Sequence, residues 1–439
     1  MLEKSISRSV VLCCLCSSIL WSQSPIVPPT DLSKDSNADI AHTNYLVQNQ
    51  QAIPHMPEGQ TFTITPDTDI SNVTSYEGEM ASLPTERINL NSIHAHTNYK
   101  ILSGPGVAPF AQGTPRGETP ASIRDVYRIV SGGGSKAIGI VDAYDYPTAA
   151  EDLKVFSETL GVPCNDCLKI VYAGGTKPQA NCSWAVEASM DIEWAHAMAP
   201  NAKIILVEAT SQNIPDMMRA VDVAANEVIS AGGGEVSLSW GGREFSAELS
   251  LDSHFLKQGV VFFGSSGDVG GLITYPSSSP NVVGVGGTTI LRDTNGAFIG
   301  EEGWSQSGGG ESAFESKPAY QSSVPNTSTS KRSAPDLSAL GDFRTGAAVY
   351  DSSACYGQSG WQIIGGTSLS APIVAGITNT AGHFAANSMV ELQHIYANRS
   401  DSTKFRDIVK GGPAGANKVL QGYDYVTGIG SPLDSNFDQ

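Results

Sequence analysis

From about residue 118 the chain alternates short apolar runs with longer mixed ones. KAIGIVDAY reads as a buried strand running into a turn, and AAEDLKVFSETLG as an amphipathic helix ended by Gly161. The unit then repeats in kind. WAVEASMDIEWAHAMAP predicts a helix, AKIILVEA a strand, IPDMMRAVDVAANEVISAG a helix, EVSLSWG a strand and ELSLDSHFLKQG a helix; VVFFGSSGD and VVGVGGT are further strands. Thr119 followed by Pro120 marks a helix start in TPASIRDVYRIV. Apolar strands alternating with helices predict an α/β domain over 118–439, its mostly parallel sheet covered on both faces. Chemistry in such folds sits at the carboxyl ends of strands, where VDAYD, SLSWG and GSSGD end.

The pattern is different before that point. Residues 25–117 are polar and rich in Pro, Asn and Thr, which predicts an N-terminal pro-region or accessory segment. A short echo lies inside them, AHTNYLV at 41–47 and AHTNYKI at 95–101. Two copies are too few for a solenoid, so a duplicated small β-unit and coincidence both stay open. Residues 1–24 read as a signal peptide: Lys4 and Arg8, then the apolar VVLCCLCSSILW, then Ser22 and Ser24. That run is too short to span a membrane and no later stretch is long enough, so a secreted protein (extracellular or periplasmic) is expected.

Composition narrows the partners. The formal charge is −18, with 44 acidic against 26 basic residues, which argues against nucleic acid and against docking on an anionic membrane. A monomer is expected. Of seven cysteines, Cys13, Cys14 and Cys16 would leave with the signal. Cys164, Cys167, Cys182 and Cys355 allow two disulfides in any of three pairings. The Cys164–Cys167 spacing could be half a zinc site, but no second pair with metal spacing follows it.

Candidate chemistry begins at GGTSLSAP, 365–372, where Ser368 stands between glycines and a helix start. The glycines admit a substrate backbone, and a helix N-terminus offers N–H groups to an oxyanion. A serine nucleophile needs a base. Asp142 ends the first strand, but the helix after the first strand–helix unit carries Glu187 and Asp191 where a histidine would be expected, and its His196, five residues past Asp191, lies off that face. At i and i+4 the two acids share a face. A solvated acidic face continued by Glu193 is the simpler reading of those acids alone, but Trp184, Ala185, Val186, Ala188 and Met190 around them favour burial and a shared proton. Asp268, beside glycines at a strand end, is a turn-former or, if it stays protonated and faces Ser368, a donor to an oxyanion.

The stretches VEASMDIEWAHAMAPNA, SLSWGG, SSGDVGG, YPSSSPNVVGVGGT, WSQSGGGES, APDLSA, GGTSLSAP and GYDYVTGIGSP, in this order over 118–434, resemble the sedolisins, serine-carboxyl peptidases related to subtilisin. The resemblance implies a subtilisin-like fold acting on protein or peptide substrates. It implies Glu187 as general base for Ser368, Asp191 supporting Glu187, and Asp268 in the oxyanion hole. It also implies one calcium ion held by Asp407, Ile408, Gly422 and Asp424, the apolar and glycine positions through backbone oxygen. Ser239, Trp240 and Gly241 would line the cleft and pair with an extended substrate. A carboxylate base, with an ordinary pKa of roughly 4 against about 6.5 for histidine, implies an acidic optimum. Two rivals are weighed: a divergent subtilisin-type protease using Asp142, and a secreted binding module that kept the scaffold without activity.

Overall fold

The computed structural model describes residues 45–48, 90–103, 115–413 and 418–439, all inside the compact unit Ile40–Gln439. The signal peptide expected at 1–24 and most of the segment 25–117 lie outside the described residues.

The central sheet is built from β4 (Ala137–Ala143), β5 (Leu168–Tyr172), β6 (Lys203–Ala209), β7 (Gly234–Leu238), β9 (Val260–Ser265), β11 (Val283–Arg292), β12 (Phe298–Gly303) and β15 (Leu337–Leu340). Its order is β12-β11-β9-β7-β4-β6-β5, with β15 also on β11. All neighbours run parallel except β11 and β12. Successive side chains in a strand point to opposite faces. Accordingly Ile138, Ile140, Ile204 and Leu206 join one core, while Ala137, Val141, Ile205 and Val207 join another. The first is covered by α3 (Cys182–Met198) and α5 (Thr367–Thr380), the second by α4 (Ile214–Ser230). The remaining helices are α1 (Pro120–Val126), α2 (Ala149–Leu160) and α6 (Ser388–Ala397).

Local chemistry fixes the helix ends. Thr119 caps α1 reciprocally with Ser122, and Gly161 closes α2 in the left-handed conformation at φ 68°. Asn181 accepts from the N–H of Ser183 and Trp184 at the start of α3. Residues 183–198 of α3 are buried all round, so this helix has no solvent face.

Two small sheets flank the centre. One runs β1 (Tyr45–Gln48), β3 (Lys100–Ser103), β17 (Gly360–Gly365), β16 (Ala347–Asp351). The other runs β10 (Thr274–Tyr275), β8 (Trp240–Arg243), β2 (His96–Thr97). A separate hairpin pairs β13 (Gly310–Ser316) with β14 (Lys331–Ala334).

Two sequence expectations change. EVSLSWG is not one strand: β7 ends at Leu238, and β8 turns into the small antiparallel sheet. Gly241 permits this, because a Cβ there would lie 2.9 Å from Thr274 Oγ1 on β10. ELSLDSHFLKQG forms two 3-10 turns, Ser246–Ser250 and Asp252–Phe255, instead of a helix. Ser246, Ser250, Asp252 and Ser253 compete for backbone partners, and Ser250 Oγ does bond Ala247 O at 2.7 Å.

Among the three pairings left open, the cysteines join as Cys164–Cys167 and Cys182–Cys355. The second ties the start of α3 to the turn between β16 and β17.

Candidate active site

Ser368 is the second residue of α5, directly after β17 and Gly366. Gly366 has φ 125°, which favours glycine, and a Cβ on it would fall 2.0 Å from Asn98 O and 2.8 Å from Asp268 Oδ2. The buried Ser368 hydroxyl donates to Ser239 O at 2.8 Å and accepts from Asn98 N at 3.1 Å. Its backbone N–H donates to Asn98 O at 3.2 Å. Ser239 Oγ donates back to Ser368 O at 3.1 Å, which locks the end of β7 to the first turn of α5.

Glu187 and Asp191 lie fully buried on α3, beneath Ser368 and beside Asp142 at the end of β4. Burial, then the charges of Asp191 and Asp142, pushes the Glu187 carboxyl far above the usual carboxylate range. The Ser368 hydroxyl is close enough to Glu187 to ease that rise, but its proton points to Ser239 O, and neither Glu187 oxygen makes a full hydrogen bond. Burial and Asp142 raise Asp191, with Ser239 opposing; burial and Glu208 raise Asp142. Like carboxyls packed in an apolar setting cannot all ionise, so they hold protons in common. Glu193 stands apart: it is buried and accepts from Tyr350 N at 3.0 Å, so the acids of α3 do not form a solvated face.

Asp268 follows β9 on the loop facing α5. Its Oδ1 accepts from Thr367 N at 2.8 Å and Thr367 Oγ1 at 2.9 Å, while its buried Oδ2 has no partner among the described residues. Burial pushes its pKa up to about 6, against the Lys100 charge and the two Thr367 donors. Lys100 is itself lowered by burial to about 8.

Ser368, Glu187, Asp191, Asp268 and Ser239 therefore meet at one point. Gly241 contributes backbone, paired with His96, whereas the Trp240 side chain is buried and its indole N–H donates to Val141 O at 3.0 Å. Sequence reasoning missed Asn98 and Thr367, which touch Ser368 and Asp268 directly.

The residues expected to hold calcium form a separate group near the C-terminus. Asp407 accepts from Gly422 N at 3.0 Å, and Asp424 accepts from Leu420 N at 3.1 Å. Ile408 packs with Val419 and Val426 and so pins the two loops together. Two carboxylates and adjoining carbonyls are the all-oxygen donor set a hard cation takes, and this chemistry fits. In the arrangement seen, all four carboxylate oxygens accept hydrogen bonds within the chain: those of Asp407 from Gly422 N, and those of Asp424 from the N–H groups of Leu420, Val426 and Thr427 and from the Thr427 hydroxyl. Cys164 and Cys167 are taken up in their disulfide, with a ring nitrogen of the buried His196 within 4.8 Å of both sulfurs.

Comparison with known proteins agrees with this geometry. The subtilase family (Peptidase_S8) matches residues 172–405, more than half of the chain. The chain belongs to the subtilase family, in its sedolisin branch. Sedolisin of Pseudomonas sp. (strain 101) is 26% identical over 78% of this chain and 64% of its own length. Kumamolisin of Bacillus sp. (strain MN-32) is 27% identical over 73% of this chain and 62% of its own. The chain thus spans less than two thirds of the curated relatives it matches. A solved structure of Pseudomonas sedolisin, a serine-carboxyl proteinase complexed with two molecules of pseudo-iodotyrostatin, superposes with a TM-score of 0.62 at 26% identity, covering 74% of this chain and 98% of that one. The subtilisin-like α/β fold expected from the sequence is the fold of this sedolisin-branch chain.

Proposed function

We propose that the chain is a secreted serine-carboxyl peptidase that hydrolyses peptide bonds of proteins at acidic pH through an acyl-enzyme on Ser368. The observation that carries this reading is the buried Glu187–Asp191 pair under a serine at a helix start, with Asp268 presenting an unpartnered oxygen on the other side. Glu187 takes the Ser368 proton and returns it to the leaving amine, and Asp191 holds and tunes Glu187. The Ser368 N–H and a protonated Asp268 stabilise the tetrahedral oxyanion. Two disulfides support an oxidising destination outside the cell, in keeping with the export signal read at 1–24.

The test is a peptide-hydrolysis assay across pH on the parent and on Ser368→Ala. Hydrolysis by the parent below pH 6 that disappears in the variant supports the reading. A parent without activity at any pH overturns it in favour of a binding module.

A bound calcium ion belongs to the same proposal. Asp407 and Asp424 would hold it with the carbonyls of Ile408 and Gly422, and its contribution would be to cross-link the C-terminal loops. Chelation is expected to lower the melting temperature by a few degrees, since a ligand at a hundredfold excess over Kd contributes about 2.7 kcal/mol. Calorimetry with and without chelator measures this, and Asp407→Asn removes the difference. An unchanged melting temperature in the parent rejects the site.

A further inference from the structure

Cys164 and Cys167 lie between the end of α2 and the start of β5, and His196 stands near the end of α3. The sequence offers one cysteine pair with metal spacing, and the fold brings a third group to it. One ring nitrogen of His196 and the two sulfurs all lie within 4.8 Å of one another. No other three cysteine, histidine, aspartate or glutamate side chains gather as closely among the described residues.

The histidine is prepared for this role. A neutral imidazole has one N–H and one lone pair. Val162 O can only accept, so the proton of the buried ring sits on Nε2 and points to that carbonyl at 3.4 Å. The lone pair is then on Nδ1, which has no partner among the described residues. Metal-bound histidines are held in this way, one N–H fixed by a backbone carbonyl and the other nitrogen free. A free buried ring nitrogen otherwise only costs the fold a hydrogen bond.

The disulfide occupies the two sulfurs, but it does little for the fold. It spans a sequence separation of 3, against 173 for Cys182–Cys355. A cross-link restricts the unfolded chain less when its loop is short, so the longer bond supplies most of the stabilisation. Cys164 is half-exposed while Cys167 is buried, which leaves one side open to a reductant and to an ion. We propose that Cys164, Cys167 and His196 form a zinc site that the disulfide closes and reduction opens. Two thiolates and an imidazole are a donor set that takes Zn²⁺ tetrahedrally, with water in the fourth position. The ion would tie the segment before β5 to the helix that carries Glu187 and Asp191, replacing a link confined to that segment. The proposal does not rest on the peptidase reading.

The exchange balances with a small dithiol as reductant. A thiolate of the dithiol attacks one sulfur, the Cys164–Cys167 bond breaks, and the second thiol closes the reductant into its own disulfide. Two electrons and two protons pass to the cysteines. Zinc then displaces both thiol protons as the sulfurs bind it as thiolates. The disulfide form of the same reagent reverses the exchange and releases the ion.

The test uses the full chain with Cys13→Ser, Cys14→Ser and Cys16→Ser, which removes the thiols of the N-terminal segment. The protein is reduced with dithiothreitol, freed of reductant without oxygen, and titrated with Co²⁺ as a coloured stand-in for zinc. One Co²⁺ per chain is expected, with a thiolate-to-cobalt charge-transfer band and tetrahedral d–d bands that Zn²⁺ abolishes. The unreduced chain is expected to show neither. Cys164→Ser, at a half-exposed position, is expected to lose the charge-transfer band. His196→Gln is expected to bind at least tenfold more weakly with altered d–d bands, its circular dichroism reporting that it is folded. If that variant does not fold, the d–d bands of the parent still report whether a nitrogen joins the two sulfurs. A reduced parent without a charge-transfer band overturns the proposal. So does a band that survives in Cys164→Ser, since it then comes from Cys182 or Cys355. A disulfide that opens only with loss of the native circular dichroism overturns it as well.

Discussion

Glu187→Gln is expected to lower kcat by about 10⁴-fold at the optimum, the upper range for loss of a general base. The argument is geometric before it is electrostatic. Glu187 projects from the middle of a helix that is buried on every side, so it cannot swing away or be replaced by a neighbouring side chain. Its interactions are with Ser368 above and with Asp191 and Asp142 beside it. Glutamine keeps the shape and removes the capacity to take a proton.

The stability of this variant moves the other way. Burial holds the folded-state pKa of Glu187 far above its unfolded value, so between those values the native state binds the extra proton. Stability therefore falls as pH rises through that window. Glutamine has no proton to lose, so at neutral pH the variant is expected to melt no lower than the parent. Lost activity with undiminished melting temperature separates a base from a packing residue. Asp142→Asn supplies the contrast with a subtilisin-type arrangement. Abolition of activity by Asp142→Asn but not by Glu187→Gln sinks the carboxylate-base mechanism.

The parts of this molecule that could be read from sequence are those whose signal is local. β4, β6, α2 and α4 follow from periodicity, and the caps at Thr119 and Gly161 follow from residue type. The Glu187–Asp191 pair was visible because both acids share one face of one helix. The break after Leu238 was not, since EVSLSWG is uniformly strand-like and only the approach of β10 and β2 decides where it leaves the sheet. Nor were the disulfide partners, because Cys182 and Cys355 are 173 residues apart. Asn98 was hidden for a different reason. It lies in a polar stretch without periodicity, and its role comes from tertiary contacts with Ser368 and Ser265.

Raising the pH through about 6 is expected to switch activity off, and Asp268 is the group responsible. Its Oδ1 is fixed by two donors from Thr367, leaving Oδ2 to face the point that Asn98 O also approaches. An oxygen there assists an oxyanion only while it carries a proton. Burial places its pKa at about 6, so the protonated form prevails below that value and is lost above it. Glu187 requires the opposite, an available lone pair, and the proton that the buried carboxyls hold in common can lie on Asp191 or Asp142 and leave it one. The loss of kcat/KM above about 6 therefore belongs to Asp268. Asp268→Ala removes the donor at every pH and is expected to cost about 10²- to 10³-fold in kcat, as for other oxyanion-hole donors. Asp268→Asn keeps an N–H donor that does not titrate, so its alkaline limb should move up or vanish while its maximum falls less. A variant Asp268→Asn whose alkaline limb still turns near pH 6 would assign that limb to another group.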